Sequence, residues 1–196
     1  MTIRLATKFD AKFIAKLHKK EISKGFLSSL GERFLTLLYE AMCVSKNAFV
    51  IVYIQNKKIE GFISGCVNVK EFFKEFFQYL IEKPYRFFYL FIKMLSIDRV
   101  RGIIEILLYP KKERDLPQAE LLTIAVSRKL QGKGISRLLF NEFLNEMRKR
   151  NIKTFKVIVG ENLPRAVKFY EKMGFRFLTS IYTHKDKLSR VYIYQE

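Results

Sequence analysis

Cysteine and histidine are scarce in this chain: Cys43 and Cys66, His18 and His184 are the only examples among 196 residues. The two cysteines lie far apart in apolar surroundings and at no metal-ligand spacing, which predicts buried free thiols in a reducing cytoplasm. Neither histidine has a partner at motif spacing, so His18 reads as a surface residue of the first helix and metal binding has no support. A Ser-His-Asp or Cys-His arrangement cannot be argued from these separations, and a covalent acyl-enzyme is disfavoured. Also missing are an apolar run long enough to span a bilayer, a flexible interdomain linker, an internal repeat and a basic-then-apolar leader. The expectation is one domain over 1–196, located in the cytoplasm.

Acidic residues are the last shortage. Against 37 Lys and Arg stand only 19 Asp and Glu, giving a formal charge of +18 that biases partners toward anions. No recognised DNA or RNA module accompanies that charge, and the lysines are spread along the chain, so no specific nucleic-acid partner is expected.

Apolar periodicity predicts a strand over 2–6, helices over 10–22 (with Phe13, Ile14 and Leu17 on one face) and 32–42, and a hairpin of strands 47–54 and 59–69. Further on it predicts a strand over 119–126, a helix over 134–149, a strand over 153–159, a helix over 164–173, and strands over 175–183 and 188–195. That order describes an α/β (α+β) fold, a mixed and mostly antiparallel sheet of about seven strands flanked by helices.

The richest stretch runs from Leu121 to Leu139, where a β-rich segment passes through Gln131-Gly132-Lys133-Gly134-Ile135-Ser136 into helical spacing. Glycines at 132 and 134 let backbone N–H groups converge at a helix N-terminus, where the dipole favours an anion. No Gly-Lys-Ser/Thr closes the loop as in a Walker motif, and no acidic residue lies where a dinucleotide fold places its ribose ligand. A second segment, Asn162 to Phe175, places Pro164 in the first turn of a short helix. Ala166, Phe169, Tyr170 and Met173 follow at helical spacing, and Gly174 acts as a left-handed cap.

Gln131-x-x-Gly134-x-Ser136 resembles the pyrophosphate-binding signature of the GCN5-related N-acetyltransferase (GNAT) family, with Ser136 in place of the usual Gly or Ala. The segment from Asn162 to Phe175 resembles that family's second signature, Asn-x-x-Ala-x-x-Phe-Tyr-x-x-x-Gly-Phe, with Asn162 one residue further from Ala166 than usual. The resemblance implies acetyl transfer from acetyl-CoA to a primary amine by direct attack. It further implies that Ile124, Ala125 and Val126 line the pantetheine arm, with an N–H of Ile124 or Ala125 polarising the thioester carbonyl. Gln131, Gly132, Lys133, Gly134, Ile135 and Ser136 would hold the pyrophosphate, and Asn162, Ala166, Phe169 and Tyr170 would complete the cofactor site. Tyr170 is the expected general acid. Glu120, at the entrance of the strand before the loop, is a candidate to accept the amine proton and otherwise a solvated strand-end carboxylate.

Residues 71–101 depart from a minimal domain of this kind, with ten aromatic residues between Phe72 and Phe91 and Pro84 in their midst. The pattern predicts two amphipathic helices joined near Pro84. They would extend the core, bury a homodimer interface, cover the acceptor site as a lid, or contact a membrane surface. The acceptor is expected to be an amine-bearing small molecule such as an amino sugar. A protein or peptide acceptor, and a CoA-binding module without transfer activity, are the alternatives.

Overall fold

The computed structural model describes residues 1–23, 25–82, 116–183 and 187–196. Strand β1 (Thr2–Leu5) leads through a 3-10 turn into α1 (Ala11–Glu21), a short α2 (Phe26–Ser29) and α3 (Glu32–Met42). A hairpin of β2 (Ala48–Gln55) and β3 (Lys58–Cys66) precedes α4 (Val69–Ile81). Then come β4 (Glu120–Val126), α5 (Ile135–Lys149), β5 (Thr154–Gly160), α6 (Pro164–Lys172), β6 (Arg176–Thr183) and β7 (Lys187–Gln195).

The hairpin forms because Asn56 and Lys57 take positive φ, 50° and 60°, the twist a two-residue turn needs to match its strands. Seven strands make one sheet in the order β1-β2-β3-β4-β5-β7-β6, and β4 against β5 is its single parallel pair. Such a pair needs a crossover, which α5 supplies on one face of the sheet. α1, α3 and α4 build a core on the opposite face with Val50, Val52 and Phe62, while α5 and Tyr170 of α6 pack with Phe49, Phe155 and Tyr192.

α1 buries Ala11, Ile14, Ala15 and His18, an i, i+3, i+4, i+7 stripe. Phe13 was expected on that stripe but is 61% exposed, because one residue of helix turns it about 100° away from Ile14. His18 corrects the sequence reading in the other direction, since it belongs to the stripe and is 2% exposed. α5 lies close enough to β3 that a Cβ at Gly65 would come 2.4 Å from Cε2 of Phe143. The wall of rings around Phe143 (Phe49, Phe140 and Phe155, with centroids 5.3 to 6.2 Å away) leaves glycine as the residue that fits.

Cys66 is buried and Cys43 half-buried, and both are free thiols. The first of the two expected aromatic helices is α4, begun by Asn68, whose side chain accepts from the Glu71 N–H at 3.1 Å. It buries Phe72, Phe76 and Tyr79 in the core below α3, and the expected second helix falls outside the described residues.

Candidate active site

β4 and β5 share only two register pairs, Glu120 with Lys156 and Leu121 with Val157, after which the strands part. The divergence has a local cause on the other edge of β4. Ser64 of β3 faces Thr123 and Gly65 faces Leu121, so Leu122 is an extra residue, a bulge that bends the strand and increases its twist. Ile124, Ala125 and Val126 therefore border a V-shaped opening.

The loop above the opening has the expected form. Gly132 and Gly134 take φ of 79° and 78°, a conformation that disfavours any side chain, and nothing lies within 4 Å of where a Cβ would stand on either. Gly134 caps α5 without a side-chain bond; the Arg137 N–H is taken by the Gly134 carbonyl at 3.0 Å, which leaves the N–H groups of Ile135 and Ser136 at the open end of the helix. Gln131 folds back and donates from Nε2 to the Val126 carbonyl at 3.1 Å, tying the loop to the end of β4. Ile135 is buried beneath the loop, Ser136 is half-buried and Lys133 is exposed. An open cradle of N–H groups at a helix N-terminus, edged by lysine, fits a pyrophosphate. Lys129 is directed elsewhere, ion-paired with Glu60.

At the vertex of the V, Glu120 and Lys156 face each other with Nζ and Oε2 3.5 Å apart, and Lys156 also donates to the Pro117 carbonyl at 2.6 Å. Both are buried, which overturns the reading of Glu120 as a solvated strand-end group. Lys156 escaped the sequence reading, although a lone lysine inside Phe155-Lys156-Val157-Ile158 was a signal for it, since lysine is buried almost only when paired.

Tyr170 lies in α6 with its ring against Phe169 and Phe175, at centroid distances of 5.4 and 5.3 Å. Burial, and after it the charge of Glu120, pushes its phenol well above the ordinary value, so it keeps its proton throughout the physiological range. Ala166 and Phe169 are half-buried against the same core. Asn162 stands exposed in the turn before α6, outside that cluster. His184 lies outside the described residues.

Face to face with β4 across the first core, His18 of α1 meets Tyr39 of α3, with Nδ1 and the phenol oxygen 2.6 Å apart. Burial lowers the His18 pKa to about 4, so the ring is neutral near pH 7. One helical turn beyond His18, the Glu21 carboxylate is 3% exposed, with Oε2 3.7 Å from Nε of Arg128. Neither Tyr39 nor Glu21 was singled out from the sequence, because their pairing depends on which helix faces lie over the sheet.

Among the described residues no group of His, Cys, Asp and Glu could hold a metal ion, and no helix is long and apolar enough to cross a membrane.

A mixed seven-stranded sheet that opens between its two parallel strands below a glycine-rich helix N-terminus, in a chain whose sequence matches an acetyltransferase family, marks an acyltransferase. The sequence matches the acetyltransferase (GNAT) family over residues 58–175, and the chain belongs to that family. Solved structures of the same fold include an N-acetyltransferase from Staphylococcus aureus Mu50, at TM-score 0.63 and 19% identity over 98% of this chain and 100% of that one. The ribosomal-protein-S18-alanine N-acetyltransferase from Escherichia coli is similar at TM-score 0.58 and 16% identity, covering 98% and 90% of the two chains. Ard1 from Thermoplasma volcanium is similar at TM-score 0.59 and 17% identity, covering 99% and 96%. Comparison with curated proteins returns no significant match.

Proposed function

We propose that this single-domain protein transfers the acetyl group of acetyl-CoA to a primary amine of a small molecule, such as an amino sugar, by direct attack in the cytoplasm. The observation that carries the reading is the parting of β4 and β5 after Leu121, directly below the cradle formed by Gly132 and Gly134. Acetyl-CoA, when bound, supplies an acyl carbon activated as a thioester. The loop from Gln131 to Ser136 would hold its phosphates, with Asn162, Ala166 and Phe169 beside it, and the edge of β4 from Ile124 to Val126 would receive its pantetheine arm. An N–H of Ile124 or Ala125 would stabilise the charge that develops on the carbonyl oxygen.

Two proton movements remain. Glu120 accepts the proton that the amine sheds, directly or through water, and Tyr170 donates one to the departing thiolate. The buried setting of Tyr170, which keeps the phenol protonated, supports its assignment as the acid. Support for a small acceptor is the formal net charge of +18, which favours phosphorylated or nucleotide-linked amines over cationic peptides.

Calorimetric titration with acetyl-CoA tests the reading, comparing wild type with Gly134→Trp. Tight binding in the wild type that the substitution abolishes is the expected result. No wild-type binding would reduce the glycine loop to a packing turn and remove the acetyltransferase reading.

A further inference from the structure

The solvent side of α1 mixes lysine with phenylalanine and shows no acid. Lys12, Phe13, Lys16, Lys19 and Lys20 are all exposed and, at 100° per residue, fall within an arc of about 120°, opposite the buried stripe that carries Ile14 and His18. The turn before the helix adds Phe9, four residues ahead of Phe13 and 90% exposed, above every other large apolar side chain among the described residues. The carboxylates at either end are withdrawn. Asp10 is buried and grips Arg4, with Oδ2 2.7 Å from Nη1 and Oδ1 3.0 Å from Nη2, and the Glu21 side chain is 3% exposed beside Arg128. Asp10 also accepts from the Thr7 N–H at 2.7 Å, so the turn that presents Phe9 is braced before any partner arrives.

A phenylalanine ring left in water forgoes the free energy that burial returns. Two such rings among four lysines offer both halves of an interfacial contact, apolar wedges for the acyl boundary and cations for the phosphates. Lysine suits that place, because its stem lies along apolar surface while the ammonium reaches outward as a point charge. Other occupants fit worse. Single-stranded nucleic acid uses aromatic rings as stacking platforms within a groove, whereas the outer side of one helix is a convex ridge. A second copy of this chain carries the same charge of +18 and is repelled.

We infer that the outer face of α1, with Phe9 and Phe13 as wedges, docks this protein on a bilayer that carries anionic phospholipid headgroups. The contact is peripheral, with the helix lying in the plane of the interface. It goes beyond acetyl transfer and needs no acetyl-CoA. The stripe ends at Lys20, and the next residue, Glu21, lies 3.7 Å from Arg128, which leads from β4 toward the glycine loop. Docking through α1 therefore brings the open end of the V close to the lipid face, with the 81% exposed Arg128 side chain as a further cation at that end.

Co-sedimentation with vesicles of phosphatidylcholine alone and of phosphatidylcholine with phosphatidylglycerol tests the inference. Wild type is expected to pellet with the anionic vesicles only. Phe9→Ala/Phe13→Ala should weaken that partition about tenfold or more, and Lys12→Gln/Lys16→Gln about fivefold per lysine. Melting temperature and acetyl-CoA affinity should stay unchanged in both, because all four side chains are exposed. The chain has no tryptophan, so Phe13→Trp reports on the face directly, and Phe177→Trp on exposed β6 is the control. Anionic vesicles should shift the emission of Phe13→Trp to the blue and leave that of Phe177→Trp in place. No pelleting above a protein-only control would overturn the inference, as would full retention of pelleting by Phe9→Ala/Phe13→Ala. So would pelleting of Phe13→Trp with unshifted emission, which would put the contact on another surface. Binding of single-stranded RNA that depends on the same two phenylalanines, without vesicle binding, would overturn it in favour of nucleic acid.

Discussion

Lowering the pH from 7 to 4 should destabilise this fold through His18, and the loss can be worked from the burial of one ring. His18 is held at a pKa of about 4 by burial, with its ring stacked on Phe62 at a centroid distance of 6.1 Å, while in the unfolded chain it returns to the ordinary 6.5. Between those values the unfolded state carries the proton and the folded state does not, so stability rises with pH in that window. The contribution is fully present above pH 6.5, falls by roughly 1.4 kcal/mol per pH unit below it, and is lost by pH 4. At pH 5 the loss is about 2 kcal/mol, and at pH 4 about 3 kcal/mol. Urea unfolding at closely spaced pH values, for wild type and His18→Asn, isolates the term. Asparagine can still accept from Tyr39 but does not titrate, and the difference between the two curves cancels every other ionising group. That difference should slope from pH 6.5 to 4 and be flat above. A flat difference throughout would mean that the folded protein protonates His18 as readily as the unfolded chain does, and the burial argument for its lowered pKa would fall.

Replacing Tyr170 by Phe should lower kcat by about a hundredfold with acetyl-CoA affinity retained, measured by single-turnover thiol release, because the ring packing survives while the transferable proton is lost. Lys156→Met should cost about 3 to 5 kcal/mol in urea unfolding by stranding the buried Glu120, and Lys156→Met/Glu120→Gln should recover most of it; equal instability of single and double variants would count against the pairing. Gly65→Ala should cost about 1 to 3 kcal/mol through its clash with Phe143, and Gly65→Ala/Phe143→Leu should regain part of the loss in thermal melts.

Most element boundaries in the described chain could be read from the sequence pattern to within a residue or two, since local rules set them: Pro164 starts a helix, Gly174 with φ of 92° ends one, and an unbroken β-branched and aromatic run marks β2. The glycine loop was legible for the same reason, as its geometry is fixed by Gly132 and Gly134 themselves. What escaped was everything decided by packing between distant segments. His18 reads as a polar residue until α1 is laid over Phe62, and Phe13 reads as core until the same placement turns it outward. The Glu120–Lys156 pair joins residues whose strands meet only because α5 returns the chain in parallel. The bulge at Leu122 likewise has no local marker, because Leu121 and Leu122 look alike until β3 supplies the register.

The rings of α5 reach both sides of the parting between β4 and β5. Phe143 touches Phe49 of β2 and Phe155 of β5, each at 5.3 Å between centroids, and Phe140 touches Tyr194 of β7 at 6.0 Å. With two rungs joining the half-sheets, this helix is the splint that keeps them in one piece. In the acetyltransferase reading proposed above its first turn is also the phosphate cradle, so the grip on the nucleotide and the brace across the seam would belong to a single rigid rod. Tension applied at one end is carried to the other, and a ligand that steadies the first turn fastens two halves of the molecule it never touches.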